Sequence, residues 1–429
     1  MFMKYLKHKI YGRIFSLFKV FPINDNRISF IIDSGESFKG NLDYIKKEFE
    51  KRGNFEFNFF YKDKISFKAF RNLATSKYVF LNDNFFPLAF MNFKNETKVV
   101  QLWHAPGASK KFGGSVASPD DVEMLSKISE NTDFLIVSSK KIEDYYSDAF
   151  QIDKSKIKAL GLPRLDYYFE NHDLDKLKED FFKRYGFNSN KKIILYAPTF
   201  REDKNYNNVF DFFDLKKFNE VLGEEYVLAL RLHPKIKDFY KENIESGEEY
   251  IDCSDYPSEQ ELMMLSDILI TDYSSIMIEF AILDKPIMFF AYDLDNYLKT
   301  ERGFYYDFKK TVPGKLVYDS DELILLKVNG YIRRHVGCVY GRNAHFKEAG
   351  LFVLRLVACV LKVKTLMGEV PHILILGVVG LAVDLKRNVV CLCVLDLLLT
   401  GLDVPLTPGG NDLHTRCALN WQSRHLLPV

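Results

Sequence analysis

The chain has 429 residues, 47% of them hydrophobic and 15% aromatic, with 59 Lys+Arg against 58 Asp+Glu. This length accommodates two domains and an appendage, and a net charge of +1 argues against a nucleic-acid binder held by bulk charge. No run of about 18 uncharged apolar residues is present, so no conventional membrane span is expected.

The first stretch, MFMKYLKHKIYGRIFSLFKVF, carries Lys4, Lys7, Lys9, Arg13 and Lys19 with no acidic residue. Phe2, Leu6, Ile10, Ile14, Leu17 and Phe18 can share one broad helical face. A basic amphipathic helix of this kind suits the surface of an anionic membrane. A helix packed on its own domain with a solvated basic face is the alternative. The stretch lacks the clean apolar core and small-residue cleavage site of a secretory signal. Cys253 is the only cysteine before residue 338, which fits a protein of a reducing compartment.

From Arg27 onward, short apolar runs alternate with helical patterns. Strands are expected at Ile28–Ile32, Phe55–Tyr61, Tyr78–Leu81, Val99–Trp103 and Phe134–Val137, with helices such as Leu42–Lys51 and Asp120–Ser129 between them. A second series runs through Lys192–Ala197, Tyr226–Leu232, Ile268–Thr271 and Ile287–Phe290. This alternation predicts an α/β protein with two Rossmann-like domains built on parallel sheets. The expected division is a basic N-terminal segment at 1–22, one domain at 23–168, a second, nucleotide-binding domain at 169–327, and a tail at 328–429.

The tail differs in kind. Only Phe346 and Phe352 of the 38 phenylalanines follow Lys327, and only Tyr331 and Tyr340 of the 24 tyrosines. Val, Leu, Gly, Cys and Arg replace them, and the remaining cysteines (Cys338, Cys359, Cys391, Cys393 and Cys417) all lie there. An atypical tail whose origin or reading frame differs from the body is expected, with an additional helical module as the alternative.

The unusual polar residues sit where strands end. Val99–Trp103 runs into HAPGASKKFGG, Lys192–Ala197 into PTFR, Tyr226–Leu232 into HP, and Ile268–Thr271 into DYSS. Open α/β sheets bind ligands outside the carboxyl ends of their strands, so His104, Arg201, His233, Ser274 and Ser275 are expected to converge on one cleft. Arg201 and a helix beginning at Ser274–Ser275 supply the positive charge and N–H donors that a phosphate needs. A histidine that is neutral near pH 7 can take a proton from an attacking hydroxyl. The segment PGASKKFGG is not the phosphate loop of ATPases, because Gly-Lys-Ser/Thr is missing. That leaves Lys110 and Lys111 open between a phosphate contact and a solvated loop. No histidine–cysteine cluster in the body has zinc spacing, and no metal or cofactor is expected.

Together with GLPRLDYYF, ILYAPTFRED, LRLHP and the long block SDILITDYSSIMIEFAILDKPIMFFAYDLDNYLKTERGFYYDF, the segment LWHAPGASKKFG resembles the CDP-glycerol glycerophosphotransferase family of teichoic-acid polymerases and primases. The resemblance covers residues 95 to 327. It implies a GT-B-like fold around a nucleotide cleft. It also implies transfer of a polyol phosphate from a CDP-activated donor to a hydroxyl of a lipid-linked glycan or growing polymer, with release of CMP. By motif, it makes His104 the base on the acceptor hydroxyl. His233 becomes a second catalytic histidine within the pyrophosphate-binding set of Arg201, Ser274 and Ser275, and Asp272 shapes the turn. Arg164, Arg302 and Gly303 become cleft residues. The implied location is peripheral, on the cytoplasmic side of the cell membrane. Two departures stand out: Ala105-Pro106-Gly107 replaces the family's Gly-Thr-Pro, and nothing after Lys327 matches the family's closing motif. A GT-B sugar transferase or nucleotide-sugar epimerase, and an inactive nucleotide-binding remnant, are the competing readings.

Overall fold

The computed structural model describes residues 5–34, 38–186, 190–233 and 250–328. Beyond Val328, the expected tail with its five cysteines lies outside the described residues.

Strands β1 (Asn24–Ile32), β2 (Glu56–Tyr61), β3 (Ser76–Leu81), β4 (Lys98–Gln101), β5 (Phe134–Val137) and β6 (Ile157–Ala159) form one parallel sheet, in the order β2-β1-β3-β4-β5-β6. Its strands are covered on both faces, and the period of two sorts their side chains. Ile28, Phe30 and Ile32 pack with Leu42, Ile45 and Phe49 of the helix Asn41–Arg52. Ile31 points the other way, into a layer with Phe15, Phe60, Phe70 and Leu73.

The second sheet is also parallel. It contains β7 (Lys192–Ala197), β8 (Tyr226–Leu230), β9 (Tyr250–Asp252), β10 (Ile268–Thr271), β11 (Ile287–Phe290) and β12 (Lys315–Val317), in the order β12-β11-β10-β7-β8-β9. Ile193 and Leu195 face a core with Phe181, Leu262 and Phe280, while Ile194 and Tyr196 face Phe213, Phe218 and Leu222. Thr271 is level with Ala197, and its hydroxyl donates to the Ala197 carbonyl at 2.8 Å. Tyr196 is level with Leu230. These registers bring the loops after β7, β8 and β10 out at one edge. Strand order reverses between β7 and β10, the place where such sheets bind ligands.

All nine strands expected from sequence are present. The additional strands β6, β9 and β12 are three-residue edge strands, too short to show a periodicity. Some starts shift, with β1 beginning at Asn24 instead of Ile28 and β3 at Ser76 instead of Tyr78, and two strands end earlier than expected. β4 ends at Gln101 because Trp103 turns to a positive φ of 56°, with its N–H held by Gln101 Oε1 at 2.9 Å and its carbonyl by Asn41 Nδ2 at 2.8 Å. β8 ends at Leu230, and the Leu232 N–H donates to Ser254 Oγ at 3.1 Å instead of to a strand.

The N-terminal stretch forms the helix Leu6–Phe18. Phe15 is fully buried, its ring 4.6 Å from Phe93, and Tyr11 lies 5.6 Å from Phe70. Gly12 permits this docking, because a Cβ there would stand 2.3 Å from the Phe90 carbonyl oxygen. The expected single apolar face is therefore divided. Ile14 and Phe18 pack against the domain, whereas Leu6, Ile10 and Leu17 remain exposed. No helix among the described residues is long and apolar enough to cross a membrane.

Candidate active site

The turn after β10 is built on buried charge. Asp272 accepts from the Thr199 N–H at 2.9 Å, the Thr199 hydroxyl at 2.6 Å and the Tyr273 N–H at 2.5 Å. Its other oxygen receives Arg201 Nη1 at 2.5 Å. Arg201 is only 1% exposed and forks onto Asp293, Nε to Oδ2 at 3.0 Å and Nη2 to Oδ1 at 2.9 Å. Tyr273, Tyr292 and Tyr297 surround the guanidinium, their ring centres 5.3, 4.9 and 5.9 Å away. Burial alone would weaken both charges. Pairing outweighs it, so Asp272 stays below the usual carboxylate range and Arg201 above its ordinary value.

The expectation of Arg201 as an open phosphate ligand thus meets a different geometry. Its nitrogens already serve Asp272, Asp293 and the Thr199 carbonyl, and it lies beneath the turn as a brace. Ser275 is exposed and Ser274 half-buried, with Ser274 Oγ accepting weakly from the Ile276 N–H at 3.4 Å. The helix that follows, Ile276–Phe280, has only five residues before a 3-10 turn at Ala281–Leu283. So short a helix has little macrodipole, and local N–H and hydroxyl groups are what the turn offers an anion.

On the other side of the cleft, His104 is solvent-exposed, its ring 4.1 Å from that of Trp103. Although the ring reaches solvent, protein fills much of the space around it, and this desolvation lowers its pKa below 6.5. Arg164 pushes the same way, while Asp83, Asp33 and a hydrogen bond to the Asn82 carbonyl oppose. The result is an imidazole that is neutral at pH 7, beside carboxylates able to stabilise its protonated form. Asp33 and Asn82–Asp83 follow β1 and β3, which flank the reversal of strand order in the first sheet.

Two seams join the lips. Arg164 pairs with Glu279 on the short helix behind Ser275, and Tyr168 Oη donates to the same carboxylate at 3.2 Å. Asn41 Oδ1 accepts the Arg164 N–H at 2.9 Å while its amide holds the Trp103 carbonyl, so one buried side chain ties Arg164 to the His104 loop. In the second seam, Lys110 and Phe304 form an antiparallel bridge. The Lys111 N–H donates to the Gly303 carbonyl and the Tyr305 N–H to the Ser109 carbonyl, both at 3.0 Å. Gly303 has a φ of +72°, which favours glycine, and places exposed Arg302 at the edge of the cleft. His233 lies just beyond the end of β8, exposed, with its ring 5.7 Å from Phe200.

The sequence reading missed Asn41, Asp83, Thr199, Glu279 and Asp293. Asp293 could have been found by the strand-end rule, since it follows β11 at the same edge. Glu279 is the one charge in the apolar run IMIEFAIL, which is a signal for a buried partner. Asn41 gives no local signal.

Two parallel Rossmann-like sheets with a histidine loop on one lip and a serine turn on the other define a GT-B-like protein. The chain belongs to the CDP-Glycerol:Poly(glycerophosphate) glycerophosphotransferase family, which it matches over residues 13–329. It is 34% identical over 336 residues to the teichoic acid poly(ribitol-phosphate) polymerase of Bacillus spizizenii, covering 75% of this chain and 54% of that protein. It is 37% identical over 265 residues to the teichoic acid glycerol-phosphate primase of Bacillus subtilis, covering 60% of this chain and 66% of the primase. The chain thus spans about half the length of the poly(ribitol-phosphate) polymerase. The solved wall teichoic acid polymerase TagF superposes with a TM-score of 0.65 at 24% identity, over 84% of this chain and 96% of TagF, and so shares its fold.

Proposed function

We propose that this protein transfers a polyol phosphate from a CDP-linked donor to a hydroxyl of a lipid-linked glycan or growing polyol-phosphate polymer. One observation carries the reading: in a member of this family, the loop of the exposed His104 and the turn at Ser274–Ser275 are tied together through Asn41, Arg164 and Glu279.

The donor pyrophosphate lies at Ser274 and Ser275, flanked by His233, Arg302 and the Gly303 turn. Arg201 acts through Asp272 and holds the turn rigid. With one ring N–H of His104 directed at the Asn82 carbonyl, its other nitrogen takes the proton of the acceptor hydroxyl. The acceptor oxygen bonds to the phosphorus that carries the polyol, the bond from that phosphorus to the CMP oxygen breaks, and CMP leaves. Positioning and charge stabilisation supply most of the rate.

The acceptor is reached at a membrane. Leu6, Ile10, Leu17, Val20 and Phe21 are exposed along the N-terminal helix and its end, next to exposed Lys7 and Arg13. Apolar insertion with basic flanks suits the anionic cytoplasmic face of a cell membrane.

The reading is tested by incubating the full chain with CDP-glycerol, CDP-ribitol or UDP-N-acetylglucosamine and lipid acceptors in anionic vesicles. Acceptor-dependent CMP release from a CDP-polyol is expected. Turnover of the UDP-sugar alone would support the sugar-transferase or epimerase reading instead, and nucleotide binding without any turnover would support the inactive remnant.

A further inference from the structure

Lys110 is the cation that the site described above leaves unexplained. It belongs to the His104 domain, yet the bridge to Phe304 carries it across the seam. Its ammonium lies 5.4 Å from the centre of the Tyr297 ring, and Tyr297 stacks on Tyr273 of the donor turn at 3.8 Å. Among the described residues it has neither an ion pair nor a side-chain hydrogen bond. The nearby carboxylate of Asp272 is already occupied by Arg201, Thr199 and the Tyr273 N–H. A semi-enclosed ammonium resting on an aromatic face, with no anion of its own, is a seat for an anionic ligand.

We propose that Lys110 is a direct ligand of the nucleoside-diphosphate donor, reaching from the acceptor-side domain to close the phosphate site at Ser274–Ser275. This deepens the transferase reading and rests on it. The bridge then has a function: a donor held by both domains fixes the distance between its phosphorus and His104, six positions earlier on the same loop.

The electrostatics agree. Burial is the main cause that lowers the Lys110 pKa to about 8; Arg302 and Arg201 add to it, while Asp272 and Glu301 oppose. Near pH 8 a fraction of the lysine is therefore neutral, and a bound pyrophosphate favours the charged form, so donor binding takes up protons.

Calorimetric titration of the full chain with CDP-glycerol at pH 8, in buffers of different ionisation enthalpy, reads affinity and proton uptake together. The wild type is expected to take up a measurable fraction of a proton. Lys110→Met is expected to bind at least about tenfold more weakly and to lose that uptake, whereas Lys110→Arg keeps more affinity but takes up no proton at this position. Thermal melts confirm folding, which neither change should disturb because no ion pair is broken. Wild-type affinity in Lys110→Met, or weaker binding with unchanged proton uptake, would overturn the proposal. A Ser274→Asp/Ser275→Asp variant separates the two levels. If it binds poorly while Lys110→Met binds normally, only the lysine assignment fails. If both bind normally, the donor-site reading fails with it.

Discussion

Glu279 receives the guanidinium of Arg164 from the opposite domain, on the same short helix that begins behind Ser275. Removing Arg164 leaves that carboxylate buried and unpaired, a change that costs about 3–5 kcal/mol. Arg164→Ala should therefore melt well below the wild type, and Glu279→Gln in the same background should recover much of the loss.

The pH dependence of this variant has a definite sign. Burial raises the Glu279 pKa above its ordinary 4.5, and nearby Glu259 adds to the shift while Arg164 opposes it. Between 4.5 and the folded value, the folded protein holds a proton that the unfolded chain has released, so stability is fullest below 4.5 and falls as pH rises. Without Arg164 the window extends upward, and the melting temperature should decline with pH more than in the wild type. Melting curves from pH 4 to 8 measure this; parallel curves would contradict the assignment.

At His104 the prediction is kinetic. His104→Ala should lower kcat by about 100-fold or more while leaving CDP-glycerol affinity largely intact. Because desolvation lowers the imidazole pKa, the acidic limb of the kcat/KM profile should fall below pH 6.5. Asp83 favours the protonated ring, so Asp83→Asn should move that limb lower still.

Arg201→Lys separates a brace from a phosphate ligand. A lysine keeps the charge but cannot fork onto Asp293 while reaching Asp272. Stability should drop by about 3–5 kcal/mol, with donor affinity falling as the turn loosens. Weaker donor binding with an unchanged melting temperature would instead indicate direct phosphate contact.

What the sequence revealed and what it concealed divide along physical lines. Apolar runs such as Ile193–Tyr196 and Ile268–Ile270 carry their own strand signal, so the two sheets were legible, and with them the positions of His104 and Ser274 just beyond strand ends. Asn41 was not, because its partners Trp103 and Arg164 lie 62 and 123 residues away and nothing local marks it. Arg201 was legible as a charge but not as a buried one, since Asp272 and Asp293 reach it only through the order of β7, β10 and β11. Lys110 stayed open for the same reason: the bridge that encloses it is made with Phe304.

The N-terminal helix makes a paired prediction. Phe15→Ala should cost about 3–5 kcal/mol, because the ring is fully buried. Leu17→Glu with Val20→Glu should change stability by about 0.5 kcal/mol or less, as these side chains are 69% and 80% exposed, yet should reduce co-sedimentation with anionic vesicles. Undiminished co-sedimentation would mean that the helix serves only its own domain.

The most direct measurement is CMP release by full-length protein from CDP-glycerol and CDP-ribitol, with and without a lipid-linked acceptor, for the wild type and His104→Ala side by side. The account predicts that the wild type releases CMP and elongates the acceptor in equal amounts, and that folded His104→Ala binds the donor but does neither. Equal CMP release by the two proteins, or wild-type release that ignores the acceptor, would contradict transfer by a base at His104.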